Sequence, residues 1–242
     1  MNERDNLLQT QLQDWRAHRA LAGNARDRAY NIIRDKIINL EYKPGEPLSD
    51  KQLAEQLGMS RTPVHEAMII LATTNMVVLK PQIGTFVAPI DLAHVDLEQF
   101  SRYTMEKEVV TQACAHITEE LVIEYEYNLR LYEEIANTEK EGAERRLLEL
   151  DNAFHRIAYI AADKEANYVH MMDSMQHFER LRMLSLLCVD QVENCQDHAQ
   201  ISSAIVEGNV VRAMYWVERH MHRYQDNLRI LRERFPSYFQ SN

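Results

Sequence analysis

The chain has 242 residues, 45% of them apolar, enough for one large core or two ordinary ones, and this composition excludes disordered and collagen-like architectures. Its formal charge of −10 argues at first against a nucleic-acid partner, because phosphate backbones reward clustered Lys and Arg. Apolar runs such as Met68 to Ala72 are only a handful of residues long, far below the roughly 20 needed to span a bilayer.

The amino terminus, Met1-Asn2-Glu3-Arg4-Asp5, lacks the basic flank and apolar segment of a secretory signal. Cys114, Cys188 and Cys195 show no Cys-x-x-Cys spacing. One helix carrying the last two would hold them ~10 Å apart, too far for a disulfide. These features are the expectation for a cytoplasmic protein with reduced thiols.

Divided at residue 90, the chain separates into two compositions. Residues 1–90 carry 11 Lys/Arg against 10 Asp/Glu, net +1, whereas residues 91–242 carry 16 against 27, net −11. Five of the six prolines also fall between Pro44 and Pro89. Ahead of them, Leu8, Leu12 and Trp15 stand at helical spacing in residues 1–25, which read as an accessory helix or a partly disordered arm. Ala29, Ile32, Ile33, Ile37 and Leu40 predict an amphipathic helix over about 26–40. Ser49, with Gln52 three positions on, forms a capping-box pattern for a short helix ending at Gly58. A third helix is expected to start near Thr62-Pro63 and to bury Val64, Ala67, Met68 and Leu71. Met76 to Lys80 and Thr85 to Val87, either side of a turn containing Gly84, predict a hairpin. Three short helices and a two-stranded ribbon make a winged helix-turn-helix. The turn Ser60-Arg61-Thr62-Pro63-Val64-His65 offers hydroxyls, free N–H groups and a guanidinium at one helix end, which suits a major groove flanked by phosphates. A packing motif with no DNA role has the same pattern.

Residues 48–67, preceded by Pro44-Gly45 and followed by Gly84-Thr85-Phe86-Val87, resemble the DNA-binding domain of the GntR family of bacterial transcription regulators. The resemblance makes Arg61 a base-reading arginine and Lys51 a backbone- or base-contacting residue. It puts Ser60, Thr62 and Pro63 on the phosphate-contacting turn, and Gln82, Ile83 and Gly84 at a wing tip near the minor groove. One position departs from the family: a second Arg is usual where this chain has His65. A His cannot make the bidentate guanine contact of an Arg, so the resemblance does not by itself imply the family's usual operator sequence.

Residues 91–242 hold only Gly142, Gly208 and Pro236 of the helix-breaking residues. Helices are expected at about 93–116, 119–137, 143–162, 166–188, 195–207 and 210–233, forming an antiparallel bundle. The predicted fold is therefore mainly α, a winged helix-turn-helix over 26–90 and an all-helical domain over 91–242. Asp151 and His155 lie four apart on one helix face. His198 precedes Gly208 by 10 residues and His220 follows it by 12, so a helical hairpin turning there brings both to matching height. One carboxylate and three imidazoles suit Zn, Ni, Mn or Fe, and an ordinary buried polar cluster would show the same spacing. The remaining His residues with no partner at such spacing read as surface or core groups. Met171, Met172, Met175 and Met183 read as core packing or as an apolar pocket wall.

The segments around Asp151-x-x-x-His155, Asp197-His198 and Glu218-Arg219-His220 are similar to the FCD ligand-binding domain of FadR-type GntR regulators. That resemblance implies a divalent metal on Asp151, His155, His198 and His220, and an effector carboxylate on Arg102, with Glu106 four residues beyond it. It also implies a homodimer, a roughly palindromic operator and repression relieved or altered by a small organic acid. The rival readings are a metalloenzyme acting on a small acid, with DNA binding serving localisation, and a DNA-binding protein whose metal is purely structural. A regulator without enzymatic activity is the expectation. The tail from Phe235 to Phe239 is expected to end the last helix and pack on the bundle.

Overall fold

The computed structural model describes residues 23–138 and 142–240. All but the last three residues of the amino-terminal extension lie outside the described residues. The chain forms two compact units, one reaching Leu92 and regaining the chain at Arg234, the other running from Ala93 to Glu233.

In the first unit, helix α1 (Ala25–Ile38) starts at a capping box in which the Asp27 N–H donates to Asn24 Oδ1 and the Asn24 N–H to Asp27 Oδ2. Helix α2 (Asp50–Leu57) ends at Gly58, whose φ of +62° makes glycine the unstrained choice. Ser49 occupies the N-cap of α2, but its side chain makes no capping hydrogen bond, so the expected box with Gln52 is absent. Helix α3 (Arg61–Thr73) packs Val64, Ala67, Met68 and Leu71 inward and lies against α1 and α2. Ala29, Ile33 and Ile37 are its counterparts on α1, all fully buried.

The expected hairpin is β2 (Val77–Lys80) with β3 (Gly84–Val87), in register Val77↔Val87 to Lys80↔Gly84. A third strand not foreseen in the sequence, β1 (Pro47–Leu48), pairs with β3 through Pro47↔Phe86 and Leu48↔Thr85. A two-residue strand after Pro44-Gly45 is too short to leave a periodicity. The tail does not belong to the bundle: Tyr238 and Gln240 bracket Ile90, whose N–H donates to the Tyr238 carbonyl at 2.7 Å and whose carbonyl accepts from the Gln240 N–H at 3.0 Å. The tail's Phe239 side chain is buried in the first unit.

The second unit is all-helical: α4 (Leu92–His116, entering from the first unit), α5 (Glu119–Thr138), α6 (Glu144–Ala161), α7 (Glu165–Ser174), α8 (Gln176–Leu186), α9 (Val192–Val206) and α10 (Val210–Arg234). The expected single helix over 166–188 is two, broken at Met175, whose ψ of 46° is not helical. The reason is tertiary. Glu98 of α4 accepts the N–H groups of Phe178 at 2.7 Å and His177 at 3.3 Å, taking over the orphan donors of a new helix start. All three cysteines are free, and Cys188 and Cys195 do not share a helix.

Burial pushes the Glu98 carboxyl up to about 7, with the Phe178 and His177 donors opposing the shift. Between the ordinary carboxyl value of 4.5 and about 7 the folded protein holds this proton more tightly than the unfolded chain, so this group's contribution to stability falls as pH rises. Glu98→Gln keeps an acceptor for the cap without a charge. Its stability should therefore gain on the wild type's between about pH 5 and 8, by on the order of 1–3 kcal/mol. Denaturant titrations of both proteins across that range check it; a difference that stays constant with pH would remove Glu98 as the responsible group.

Candidate functional site

Asp151 and His155 on α6 project inward from one face because they stand four residues apart on a helix buried along most of its length. His198 on α9 and His220 on α10 flank the turn at Gly208, and their ring centroids lie 4.7 Å apart. One ligand atom from each of the four residues lies within 4.8 Å of those of the other three. Nε2 of His155 is 3.2 Å from Nε2 of His220 and 3.7 Å from Asp151 Oδ2, and Nε2 of His198 is 3.4 Å from Asp151 Oδ1.

The rings are dry. His198 is completely buried between Phe154, stacked at 4.0 Å, and Tyr132 at 5.7 Å. Burial lowers His155, drives His198 well below its ordinary range and lowers His220 to about 4, with the neighbouring imidazoles adding to the shift on the last two. All three are thus neutral at physiological pH, the form that carries a lone pair for a cation. Neither ring nitrogen of His198 makes a hydrogen bond, nor does Nδ1 of His220. Each such buried atom costs about 1–3 kcal/mol when left unsatisfied. Two neutral Nε2 atoms facing each other, a carboxylate beside them and an orphaned ring fit a cation with nitrogen and oxygen ligands.

A second layer of carboxylates orients the rings. Glu106 Oε2 lies 3.2 Å from His155 Nδ1, the arrangement that fixes an imidazole tautomer and raises its basicity, whereas Asp197 Oδ2 stands 3.8 Å from His220 Nδ1, near it but beyond hydrogen-bond distance. Burial alone would raise the Glu106 carboxyl, but His155 and Arg102 outweigh it and hold it low. Burial would likewise raise Asp197, but its carboxyl is held low, with Arg223 donating to it from Nε at 2.8 Å.

Beside the quartet is a cavity of about 100 Å³ whose walls include Arg102, Asp151, Arg182, Asn194, His220 and Tyr224. Arg102 is not on the surface. It is 2% exposed, with Nε 3.4 Å from Glu106 Oε1 and an Nη 4.0 Å from Asp151. Arg182 is a second guanidinium at the same place, bonded to Asp151, to Glu179 and to Asn152 Oδ1. Sequence reasoning missed it, as it missed Asn194, which donates to Asp151 Oδ1 at 3.1 Å. The available signal was Glu179-x-x-Arg182, an acid and a base on one helix face inside a segment that otherwise reads as core.

The first unit collects the other predicted residues. Lys51, Ser60, Arg61, Thr62 and His65 are exposed, Pro63 is half-buried, and Gln82, Ile83 and Gly84 are exposed at the tip of the β2–β3 turn. Gln82 has φ +61° and Gly84 +141°. On α3, Arg61, His65 and Ile69 form an exposed stripe opposite the buried face, while Ser60 is the N-cap.

Residues 25–87 match the bacterial regulatory proteins of the gntR family, and residues 99–223 match the FCD domain. A regulator from Streptomyces ambofaciens, an uncharacterized HTH-type protein of an unstable DNA locus, is 30% identical over 89% of this chain and 89% of its own. The HTH-type transcriptional repressor RspR of Escherichia coli is 30% identical over 87% of this chain and 91% of its own. Among solved structures, E. coli McbR/YncC has a TM-score of 0.71 at 20% identity, covering 88% of this chain and all of that one. A GntR regulator from Rhodococcus superposes with 0.66 at 21% identity, over 84% and 96% of the two chains. No described helix is long and apolar enough to cross a membrane. The chain belongs to the GntR family of bacterial transcription regulators, pairing a DNA-binding winged helix-turn-helix with an FCD domain.

Proposed function

We propose that this regulator carries a divalent transition metal on Asp151, His155, His198 and His220, and that a small organic acid bound beside it alters operator affinity. The observation that carries the reading is the convergence of four ligand atoms within 4.8 Å at the wall of a cavity that also presents Arg102 and Arg182. A divalent ion there supplies a Lewis-acid position for a carboxylate oxygen. Arg102 supplies a fixed positive partner for the same carboxylate, held in orientation by Glu106. Because Arg102 and Glu106 share α4 while the four ligands sit on α6, α9 and α10, an acid bridging them favours one arrangement of those helices. Linkage then requires that the acid and the operator change each other's affinity equally.

In the DNA-binding unit, α3 lies in the major groove with Arg61 reading base edges, and His65 beside it. Lys51, Ser60, Thr62 and Pro63 sit along the backbone, and Gln82 and Gly84 bring the wing towards the minor groove. A homodimer presents two such units to a roughly palindromic site, and the name of the E. coli relative RspR supports repression. With only one surplus positive charge over residues 1–90, non-specific affinity is weak and a few base contacts carry the specificity.

Purified protein should contain a stoichiometric divalent metal by elemental analysis, and His198→Ala and His220→Ala should each lower it; full occupancy in both variants would reject the quartet. Chelation should lower the unfolding midpoint of the wild type and leave His198→Ala almost unchanged. Arg61→Ala should weaken specific operator binding by roughly 1–3 kcal/mol and relax base preference, and unaltered binding would remove α3 from the groove. Metal-loaded Arg102→Ala should still bind the operator but no longer respond to an acid that shifts the wild type. A normal response would free Arg102 of this role.

A further inference from the structure

His65, exposed on α3 one turn beyond Arg61, is tied to another side chain. Nδ1 of His65 on α3 lies 2.8 Å from Oδ2 of Asp50, the first residue of α2. A carboxylate can only accept, so the proton of this hydrogen bond sits on Nδ1. In the neutral ring the other nitrogen, Nε2, is then left with its lone pair and can only accept in turn. The His65 side chain is 62% exposed and follows Arg61 by one helical turn on the same exposed stripe. An acidic group at the DNA-facing end of the unit lowers affinity for phosphates. Asp50 also stands in the first turn of α2, where a carboxylate is favourable, and its bond to His65 is what orients the exposed ring.

We propose that Asp50 and His65 act as a couple in operator recognition, with His65 Nε2 accepting a hydrogen bond from an exocyclic amine, adenine N6 or cytosine N4. In the major groove these are the only base donors, whereas guanine presents O6 and N7 as acceptors. The couple therefore sets the polarity of readout at this position: His65 held by Asp50 accepts from adenine or cytosine, where an Arg would donate to guanine. Asp50 is the positioning residue and His65 the base-reading one. This rests on the reading that α3 enters the major groove.

The test uses the full-length protein at about pH 8.5, some two units above the titration of free imidazole. Preferred sites are first selected from a randomised duplex library. The base pair whose preference is lost in His65→Ala should carry adenine or cytosine towards α3. Replacing that adenine by purine, or that cytosine by 2-pyrimidinone, removes the amine and should weaken wild-type binding roughly 3- to 10-fold, as expected for one hydrogen bond. The same replacement should leave His65→Ala unchanged, and removing the purine N7 of that pair by a 7-deaza base should have no effect on the wild type. Asp50→Ala should lose sensitivity to the amine while still selecting the bases read by Arg61, and His65→Arg should shift the selected base to guanine. Loss of binding on removal of N7 rather than the amine, an unaltered preference in His65→Ala, or amine sensitivity retained in Asp50→Ala overturns the proposal. Should Arg61→Ala select the same sites as the wild type, the placement of α3 in the groove fails as well; a silent His65 beside a decisive Arg61 sinks the couple alone.

Discussion

Three neutral imidazoles cannot satisfy one another. Each offers one donor and one acceptor, and where Nε2 of His155 meets Nε2 of His220 at 3.2 Å at most one of them carries a hydrogen. His198 beside them is sealed by Phe154 and Tyr132 and has no hydrogen-bond partner at either nitrogen. The bundle interior is organised around this unsatisfied polar cluster. Glu106 and Asp197 face the outer nitrogens of His155 and His220, and Arg102 and Arg223 in turn balance those carboxylates. The result is alternating charge spreading from α6 to α4, α9 and α10 with neutral rings at its centre. Apolar residues in place of such a buried polar network are often neutral or stabilising, which supports the proposed reading of the cluster as a place for a cation.

The same alternation explains how a cavity wall can present two guanidiniums in an acidic domain. Arg182 is held against Asp151 and Glu179, and Arg102 against Glu106, so neither is an isolated buried cation. Asp151 is shared between the quartet and Arg182. Whatever draws that carboxylate towards His155 and His198 loosens its hold on the guanidinium, leaving Arg182 freer to meet an anion. In the proposed function, the metal and the acid would thus be coupled through one side chain.

Much of the architecture was legible because its signals are local. Gly58 and Gly208 stop helices, Pro63 starts one, and Gly84 turns the ribbon, each through backbone constraints that a sequence displays directly. The convergence of Asp151, His155, His198 and His220 was legible for a related reason: four-residue spacing on α6 and near-equal distance from Gly208 are helix geometry written in residue numbers. What escaped depends on partners remote in sequence. The break at Met175 needs Glu98, nearly eighty positions earlier, to accept the N–H groups of the new helix start. Strand β1 exists only because β3 offers it an edge, and Arg182 becomes a site residue only when α8 packs on α6. The Ser49 box failed in the opposite direction, a correct local pattern whose side-chain bond the folded unit does not make.

The return of the tail to Ile90 means that the DNA-binding unit is discontinuous in sequence. Ile90 is fully buried, and both its backbone groups are bonded by residues that follow α10, nearly 150 positions on. Domain exchange between relatives is usually planned as a single cut in the linker, here near residue 92. Such a chimera would inherit a foreign carboxyl-terminal segment or none, and would strip a buried backbone N–H and C=O of their partners at about 1–3 kcal/mol each. A transplantable reading head from this protein has to include the segment after residue 234 together with the chain up to residue 92, and a sensor graft has to be sewn in at two seams rather than one.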